Sequence, residues 1–398
     1  SIVLSPIGGE SHVLYQIPVE ELCISESGGG GKELTQLLSQ FPKLTGLQIE
    51  RCEKMTELGV SEWQSGKHQQ ETIEEEEIVV MAEGGLLLLP TQLQELKLRS
   101  CAQLRILPSS CSGGDNKEAA AGGLQRLRSL RQLRVENCPN LLSSYSDSSS
   151  CFPFPSSLEE LTLFGLEELT NLRVSRSSIL HTLSIEDSSG VLSVSICSLL
   201  SSSLTTLTFL GSKEVEPIPE EALRLLTSLQ DLTFLCCDKL QILPAGLKRL
   251  ASIKNLRFFS CNSLHSLPMD GLPSSLHSLL FYGCSMKSLP KDSLPSSLQE
   301  LEISGCSELE LLPTFSDGHP SSLQELKIWN CPAIKSVPKD ALPNSLQELE
   351  ISYCPDIKSL PEDGLPEALR VLNVSVGNSE ELKRQCRRLT GTIPIIRA

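Results

Sequence analysis

The sequence predicts an α/β repeat solenoid, and three observations carry that expectation. One phrase recurs: LHSLLFYGC, LQELEISGC, LQELKIWNC, LQELEISYC and LRVLNVS begin at Leu276, Leu298, Leu323, Leu346 and Leu369, spaced by 22, 25, 23 and 23 residues. Within each copy apolar residues alternate, as Leu301 and Ile303 do, the pattern of a short strand with one buried face. After the closing Cys most copies run on to Leu-Pro, as in CDKLQILP, CNSLHSLP, CSELELLP and CPDIKSLP, where the proline breaks any helix. Leucines at fixed offsets in a period of 20 to 29 residues, with Asn or Cys ending the motif, mark the leucine-rich repeat. The expected architecture is a leucine-rich repeat horseshoe with a concave parallel β-sheet and a mostly irregular or 3₁₀ convex side.

Laid along the chain, the template L-x-x-L-x-[apolar]-x-x-C also fits at Val19, Leu44, Leu93, Leu130, Leu158, Leu180, Leu204, Leu229 and Ile253, giving 14 repeats in one domain spanning 1–398. The copies at Leu158, Leu180 and Leu204 carry Leu166, Ser188 and Ser212 in place of the closing Cys. Leu240, Leu264, Leu309 and Ile357 are expected to point into the core, with Pro244, Pro268, Pro313 and Pro361 behind them. Three stretches interrupt the period, at 53–92, 102–129 and 143–157, each read as an insertion or a degenerate repeat; the first holds the acidic run SEWQSGKHQQETIEEEEIVVMAEGG. Residues 377–398 leave the repeat. There Ser379 is placed to cap a helix reaching about Leu389, with Glu380 and Glu381 in its first turn and Arg387 and Arg388 in its last, forming a terminal cap.

Composition narrows the function classes. Lys plus Arg total 34 against 49 for Asp plus Glu, a net charge of -15, which argues against general affinity for nucleic acid or anionic lipid. No apolar run is long enough to span a membrane. The opening SIVLSPIGGE has neither an initiator Met nor the order of a secretory signal, as expected of a piece of a longer protein. Nine of the 15 cysteines (Cys52, Cys101, Cys138, Cys237, Cys261, Cys284, Cys306, Cys331 and Cys354) share one slot of the repeat. Stacked strands bring such neighbours about 5 Å apart, a distance that permits bridging. Their parallel directions favour a reduced ladder of small buried side chains and a cytosolic compartment.

Catalytic constellations are missing from the sequence, which reads as a non-enzyme. GGGGKEL at 28–34 lacks the first Gly of a phosphate loop and has Glu33 where Ser or Thr would hold magnesium, so it reads as a flexible turn. No H-E-x-x-H, G-x-S-x-G or C-x-x-C occurs, and the six histidines fall at dispersed offsets, with His265 and His277 on turns or strand edges rather than around a metal. Asn373-Val-Ser375 is a lone glycosylation sequon, a match that chance supplies.

A binding surface is therefore sought among the residues that vary between copies and project from the concave face. The position after the third apolar residue reads Phe164, Glu186, Leu210, Leu235, Phe259, Tyr282, Ser304, Trp329 and Ser352 from the fifth copy onward. In a chain only 4% aromatic, this column gathers Leu210, Leu235, Phe259 and Tyr282 on successive strands, flanked by Phe164 and Trp329. Exposed apolar patches rimmed by charge commonly mark protein contacts. The candidate partner-binding set is these residues with Tyr353 and two cations of the face, Arg257 and Lys327. The alternatives are cover by another domain of the same polypeptide and simple tolerance of surface hydrophobes. In the neighbouring column Glu302, Lys327 and Glu350 alternate in sign and can pair laterally, whereas Glu300, Glu325 and Glu348 repel one another unless something basic meets them or water solvates them.

The phrases LPSSLQELEISGC, LKIWNCPAIKSVP and ISYCPDIKSLPEDGLP resemble the C-terminal repeat region of plant intracellular immune receptors, the coiled-coil nucleotide-binding leucine-rich repeat (NLR) disease-resistance proteins, cereal members especially. The ending LKRQCRRLTGTIPIIRA is similar to their terminal cap. The resemblance covers essentially the whole chain, closely over 229–398 and more weakly before Leu158. It implies a cytoplasmic or nuclear sensor of a pathogen or pest effector, or of a guarded host protein, whose repeats also restrain a nucleotide-binding switch in the same polypeptide. ADP or ATP would belong to that switch domain, which lies outside this sequence, and no cofactor is expected here. The fragment itself is expected to be monomeric. Two other readings stay open: the substrate-recognition repeats of a ubiquitin-ligase F-box protein, which predicts an F-box upstream, and a receptor ectodomain, which calls for a signal peptide, capping disulfides and several sequons.

Overall fold

A computed structural model describes residues 2–4, 19–61, 85–107, 123–145, 153–166, 178–186, 194–211, 220–241, 243, 245–268, 271–289, 294–315, 321–361, 365–374 and 376–398. The chain divides into two compact units, Ser1–Glu186 and Asp187–Ala398. Both are leucine-rich repeat solenoids, each built on one parallel sheet.

The first unit holds β1 (Ile2–Leu4), β2 (Glu21–Ser25), α1 (Gly31–Ser39), β3 (Gly46–Glu50), β4 (Glu57–Ser61), β5 (Leu86–Pro90), β6 (Glu95–Arg99), β7 (Arg105–Ile106), β8 (Gln132–Glu136), β9 (Glu160–Phe164) and β10 (Thr182–Glu186). Its main sheet runs β1-β2-β3-β6-β8-β9-β10, all parallel. The second unit holds α2 (Val194–Leu200), β11 (Thr206–Leu210), α3 (Glu220–Leu225), β12 (Asp231–Leu235), β13 (Asn255–Phe259), β14 (Ser278–Tyr282), β15 (Glu300–Ser304), β16 (Glu325–Trp329), β17 (Glu348–Ser352), β18 (Val371–Asn373), α4 (Glu380–Arg388) and β19 (Ile395–Arg397). Here the strands pair in chain order from β11 to β19, again all parallel.

Every template position opens two residues ahead of a main-sheet strand, and each first residue, from Val19 to Leu369, is buried. The alternation then places Leu301 and Ile303 of β15 inside and Glu300 and Glu302 on the open face. Four consecutive repeats carry Phe at the second inward position. Because the strands are in register, Phe209, Phe234, Phe258 and Phe281 stack with ring centroids 5.4, 5.3 and 5.2 Å apart. Strand spacing sets that separation, and apolar burial of these large rings is the main stabilising term at this level.

The Cys column is buried throughout. Its thiols donate to the carbonyls of the preceding strand's end and, at Cys52 and in the second unit, of the neighbouring repeat: Cys331 Sγ reaches Trp329 O at 3.4 Å and Ile303 O at 3.7 Å. The last repeat replaces the thiol by Asn378. Its amide donates to Ile351 O at 2.5 Å and Val374 O at 2.9 Å while accepting from Cys354 N at 3.1 Å. The residue just before the slot is left-handed, with φ between 50° and 66° at Glu26, Arg51, Ser100, Asn137, Gly165, Cys236, Ser260, Gly283, Gly305, Asn330, Tyr353 and Gly377. At most of these positions the N–H donates to the last residue of the next strand, as Asn330 N does to Ser352 O at 2.9 Å, while Tyr353 N donates to Val376 O, beyond β18, at 2.8 Å.

The side away from the main sheet differs between repeats. 3₁₀ turns cover Leu124–Arg126, Ala245–Arg249 and Lys339–Ala341, while α1, α2 and α3 are short α-helices. Leu240, Leu264, Leu309 and Ile357 are buried as expected; Pro244 lies outside the described residues. β4 and β5 of the first interruption pair with each other, and β4 with β7 of the second, in a small parallel sheet, while β3 pairs directly with β6 in the main sheet. Residues 53–61 and 85–92 thus elaborate one repeat and add no strand to the main sheet. Residues 62–84, 108–122 and 146–152 of the three interruptions lie outside the described residues.

The glycine-rich segment at 28–34 is not a flexible turn but opens α1. Glu33 accepts the Gly30 N–H at 3.1 Å, and a methyl group on Gly31 would stand 2.1 Å from the Leu86 carbonyl oxygen. Gly31 is there so that the helix can approach β5. At the other end α4 begins at the expected cap: Ser379 Oγ accepts from Leu382 N at 3.2 Å and donates to Ile357 O at 2.8 Å. Beyond it β19 adds a strand beside β18 that the periodicity did not predict, as β1 does beside β2.

Candidate protein-contact surface

The open face of the second unit is a grid whose rows are set by strand register. Its third row joins Leu210, Leu235, Phe259, Tyr282, Ser304, Trp329 and Ser352 as direct neighbours. The first three are half-buried, whereas Tyr282 and Trp329 keep 45% and 38% of their surface in solvent. Phe259 and Tyr282 tilt against each other at 6.1 Å. Small residues alternate with the rings. Ser304 and Ser352, on either side of Trp329, retain only 3% and 4% exposure, so the aromatic groups stand on a buried serine floor.

Tyr353 comes one residue after β17 and is not on a strand. It occupies the left-handed slot at φ 56°, is 46% exposed, and meets Trp329 edge-on with centroids 5.4 Å apart. A methyl group on Gly377 would lie 2.5 Å from Tyr353 Cδ1, so the ring rests over that glycine. Val376 follows as another exposed apolar side chain. Phe164 belongs to the first unit, where it is half-buried beside Glu136 of the adjoining strand.

The two cations of the candidate set are both tied. Arg257 Nη1 lies 3.2 Å from Asp231 Oδ1, which also accepts from Asn255 at 2.7 Å. Lys327 does not pair laterally with Glu302 and Glu350. It turns along its own strand to Glu325, Nζ to Oε1 2.5 Å, because residues i and i+2 share a face and Glu325 lies within reach. The Glu325 hydrogen bond, followed by the fields of Glu302 and Glu348, holds its ammonium above the usual lysine range. Glu302 and Glu350 have no ion-pair partner among the described residues.

The first unit's face is balanced differently. Arg99 and Arg134 both hold Glu136, Lys97 lies 2.5 Å from Glu95, and Arg131 pairs with Glu159. Burial would raise the Glu136 pKa, but the two guanidinium hydrogen bonds outweigh it and hold the carboxyl below its usual range. Near the start of these strands Gly46 leaves a polar notch of about 220 Å³ lined by Glu21, Glu95, Arg131 and Glu159 among others. No cluster of three or more His, Cys, Asp or Glu side chains is placed to hold a metal among the described residues.

Neither a family profile nor a curated protein matches the chain. Solved structures similar to it include a leucine-rich repeat protein of Leptospira interrogans, with TM-score 0.38 and 18% identity over 95% of this chain and 89% of that one. The leucine-rich repeat domain of the type III effector XopL has TM-score 0.36 and 20% identity over 50% and 70%. The TLR13 chain of a TLR13–ssRNA13 complex has TM-score 0.49 and 16% identity over 90% of this chain and 46% of its own. These likenesses are of repeat architecture and carry no ligand with them.

Proposed function

We propose that this chain is the ligand-sensing and autoinhibitory leucine-rich repeat module of an intracellular plant immune receptor. It recognises a pathogen or pest effector, or a guarded host protein, through protein–protein contacts on the open face of its sheet. The observation that carries the reading is the exposed aromatic group formed by Tyr282 and Trp329 on regular strands and by Tyr353 just beyond β17. Large amphipathic rings held on a rigid scaffold are the usual anchors of protein interfaces. The sequence resemblance supplies the receptor class, and the paired charges around Phe164 direct attention to the second unit. A ligand that binds the released receptor better than the restrained one would shift the population towards signalling by that difference in affinity.

The test is the triple variant Phe259→Ala, Tyr282→Ala, Trp329→Ala in the receptor that carries this chain. None of the three is a core residue, so the variant is expected to fold and to accumulate normally while effector binding and effector-dependent cell death fall sharply. An undiminished response from a stably accumulated variant would remove this face from recognition. Co-purification with ubiquitin-ligase subunits would instead favour the F-box reading.

A further inference from the structure

The carboxylates that border the aromatic group are the unexplained part of this face. Glu300, Glu325 and Glu348 are direct cross-strand neighbours in the first row, and Glu302 and Glu350 flank Lys327 in the second. Five carboxylates thus surround one ammonium, which is engaged by Glu325. Like charges facing each other across strands destabilise a sheet, and the first unit shows that this fold readily supplies arginine to such rows. Beside the carboxylates stands a second anomaly. Tyr353 holds a bulky ring in a left-handed conformation at a slot that elsewhere in the second unit takes Gly, Asn, Ser or Cys. The repeat sets that backbone at every such slot, so it is the size of the ring and not the conformation that sets Tyr353 apart. The ring thereby projects beside Trp329 and extends the aromatic surface past the end of the strand.

We propose that the Tyr282–Trp329–Tyr353 surface binds a basic protein segment, one whose Arg or Lys side chains engage Glu302, Glu348 and Glu350 while an adjoining apolar side chain packs on the rings. The inference rests on the contact-surface reading above and adds the chemistry of the partner. Charge complementarity selects the occupant: an acidic partner would deepen the repulsion among the glutamates, and a purely apolar one would bury them without counter-charge. Arginine suits both halves of the surface, since its planar guanidinium forks onto carboxylates and stacks on aromatic faces.

A random peptide library displayed on phage and selected against the 398-residue chain tests this. The expected winners carry Arg or Lys next to an apolar residue. As synthetic peptides they weaken about 30-fold on Trp329→Ala, roughly tenfold on combined Glu302→Gln, Glu348→Gln and Glu350→Gln, and further as salt rises. A control with equal charge removed elsewhere, Glu221→Gln, Asp340→Asn and Glu381→Gln, is expected to leave binding unchanged. Tyr353→Gly keeps the proposal separable from folding, because glycine adopts the left-handed slot freely: its thermal midpoint should hold while binding weakens several-fold. Failure to select any peptide overturns the inference, as do basic peptides that bind the triple Gln variant at full strength or lose equal affinity on the control. Neutral or acidic winners that still depend on Trp329 also overturn it but leave the contact surface standing. Basic winners indifferent to Trp329 and Tyr353 sink both.

Discussion

At the residue scale the chain is governed by slots that repeat. Leu301 is 1% exposed and fills an inward strand position, so Leu301→Ala should cost ~2–5 kcal/mol through lost transfer energy and an unfilled cavity. An unaltered thermal unfolding midpoint would remove Leu301 from the core. Cys197 and Cys386 lie outside the repeat column, and burial raises both thiols to about 11 from an ordinary 9.0. The folded protein therefore holds these protons more tightly than the unfolded chain does. The stability they add is complete below about pH 8.5 and is lost as pH rises towards 11. The urea midpoint should therefore fall between pH 8 and 10.5, and fall less in the Cys197→Ala, Cys386→Ala variant. Inward and outward side chains were legible from alternation alone. The left-handed slot was not, because Tyr353 and Arg51 occupy a conformation that their own preferences oppose and that a hydrogen bond to the next repeat holds.

At the element scale the main-sheet strands from β2 to β18 and α4 follow from local pattern, whereas β1 and β19 do not. Ser379 satisfies an otherwise orphaned N–H of α4 and anchors the helix to Ile357. Ser379→Ala should lower stability by about 1 kcal/mol, read from chemical denaturation, whereas Ser379→Thr, whose hydroxyl can both accept and donate, should restore most of it. The small sheet of β4, β5 and β7 is not legible in the sequence. ELGVS and LLLLP are short apolar runs that fit a strand or a buried helix equally, and their partners lie across a long interruption. The pairing of Lys327 departs from expectation for a related reason. Cross-strand sign alternation is visible in an alignment of repeats, but the choice between Glu325 along the strand and Glu302 across it depends on side-chain reach.

At the scale of the whole molecule each repeat is stabilised by its neighbours, so the ends need covering. In the second unit α4 and β19 close the last repeat: Leu382, Cys386 and Asn378 are buried there, and Val374 N donates to Arg397 O at 2.7 Å. Removing residues 376–398 should expose Leu372 and Val374, lower the thermal midpoint and broaden the size-exclusion profile through self-association. A monomeric truncation with an unchanged midpoint would show that the terminal segment is no cap. Periodicity alone sufficed for the repeat fold, the strands of the repeats themselves, the inward faces and the column in which Phe259, Tyr282 and Trp329 stand, because each depends on residues a fixed few positions apart. Only the folded chain decided which of that column stays exposed, that Ser304 and Ser352 form its floor, that Tyr353 joins Trp329, and that Glu302 and Glu350 have no ion-pair partner among the described residues. Those outcomes depend on register between strands more than 20 residues apart and on how far each side chain reaches.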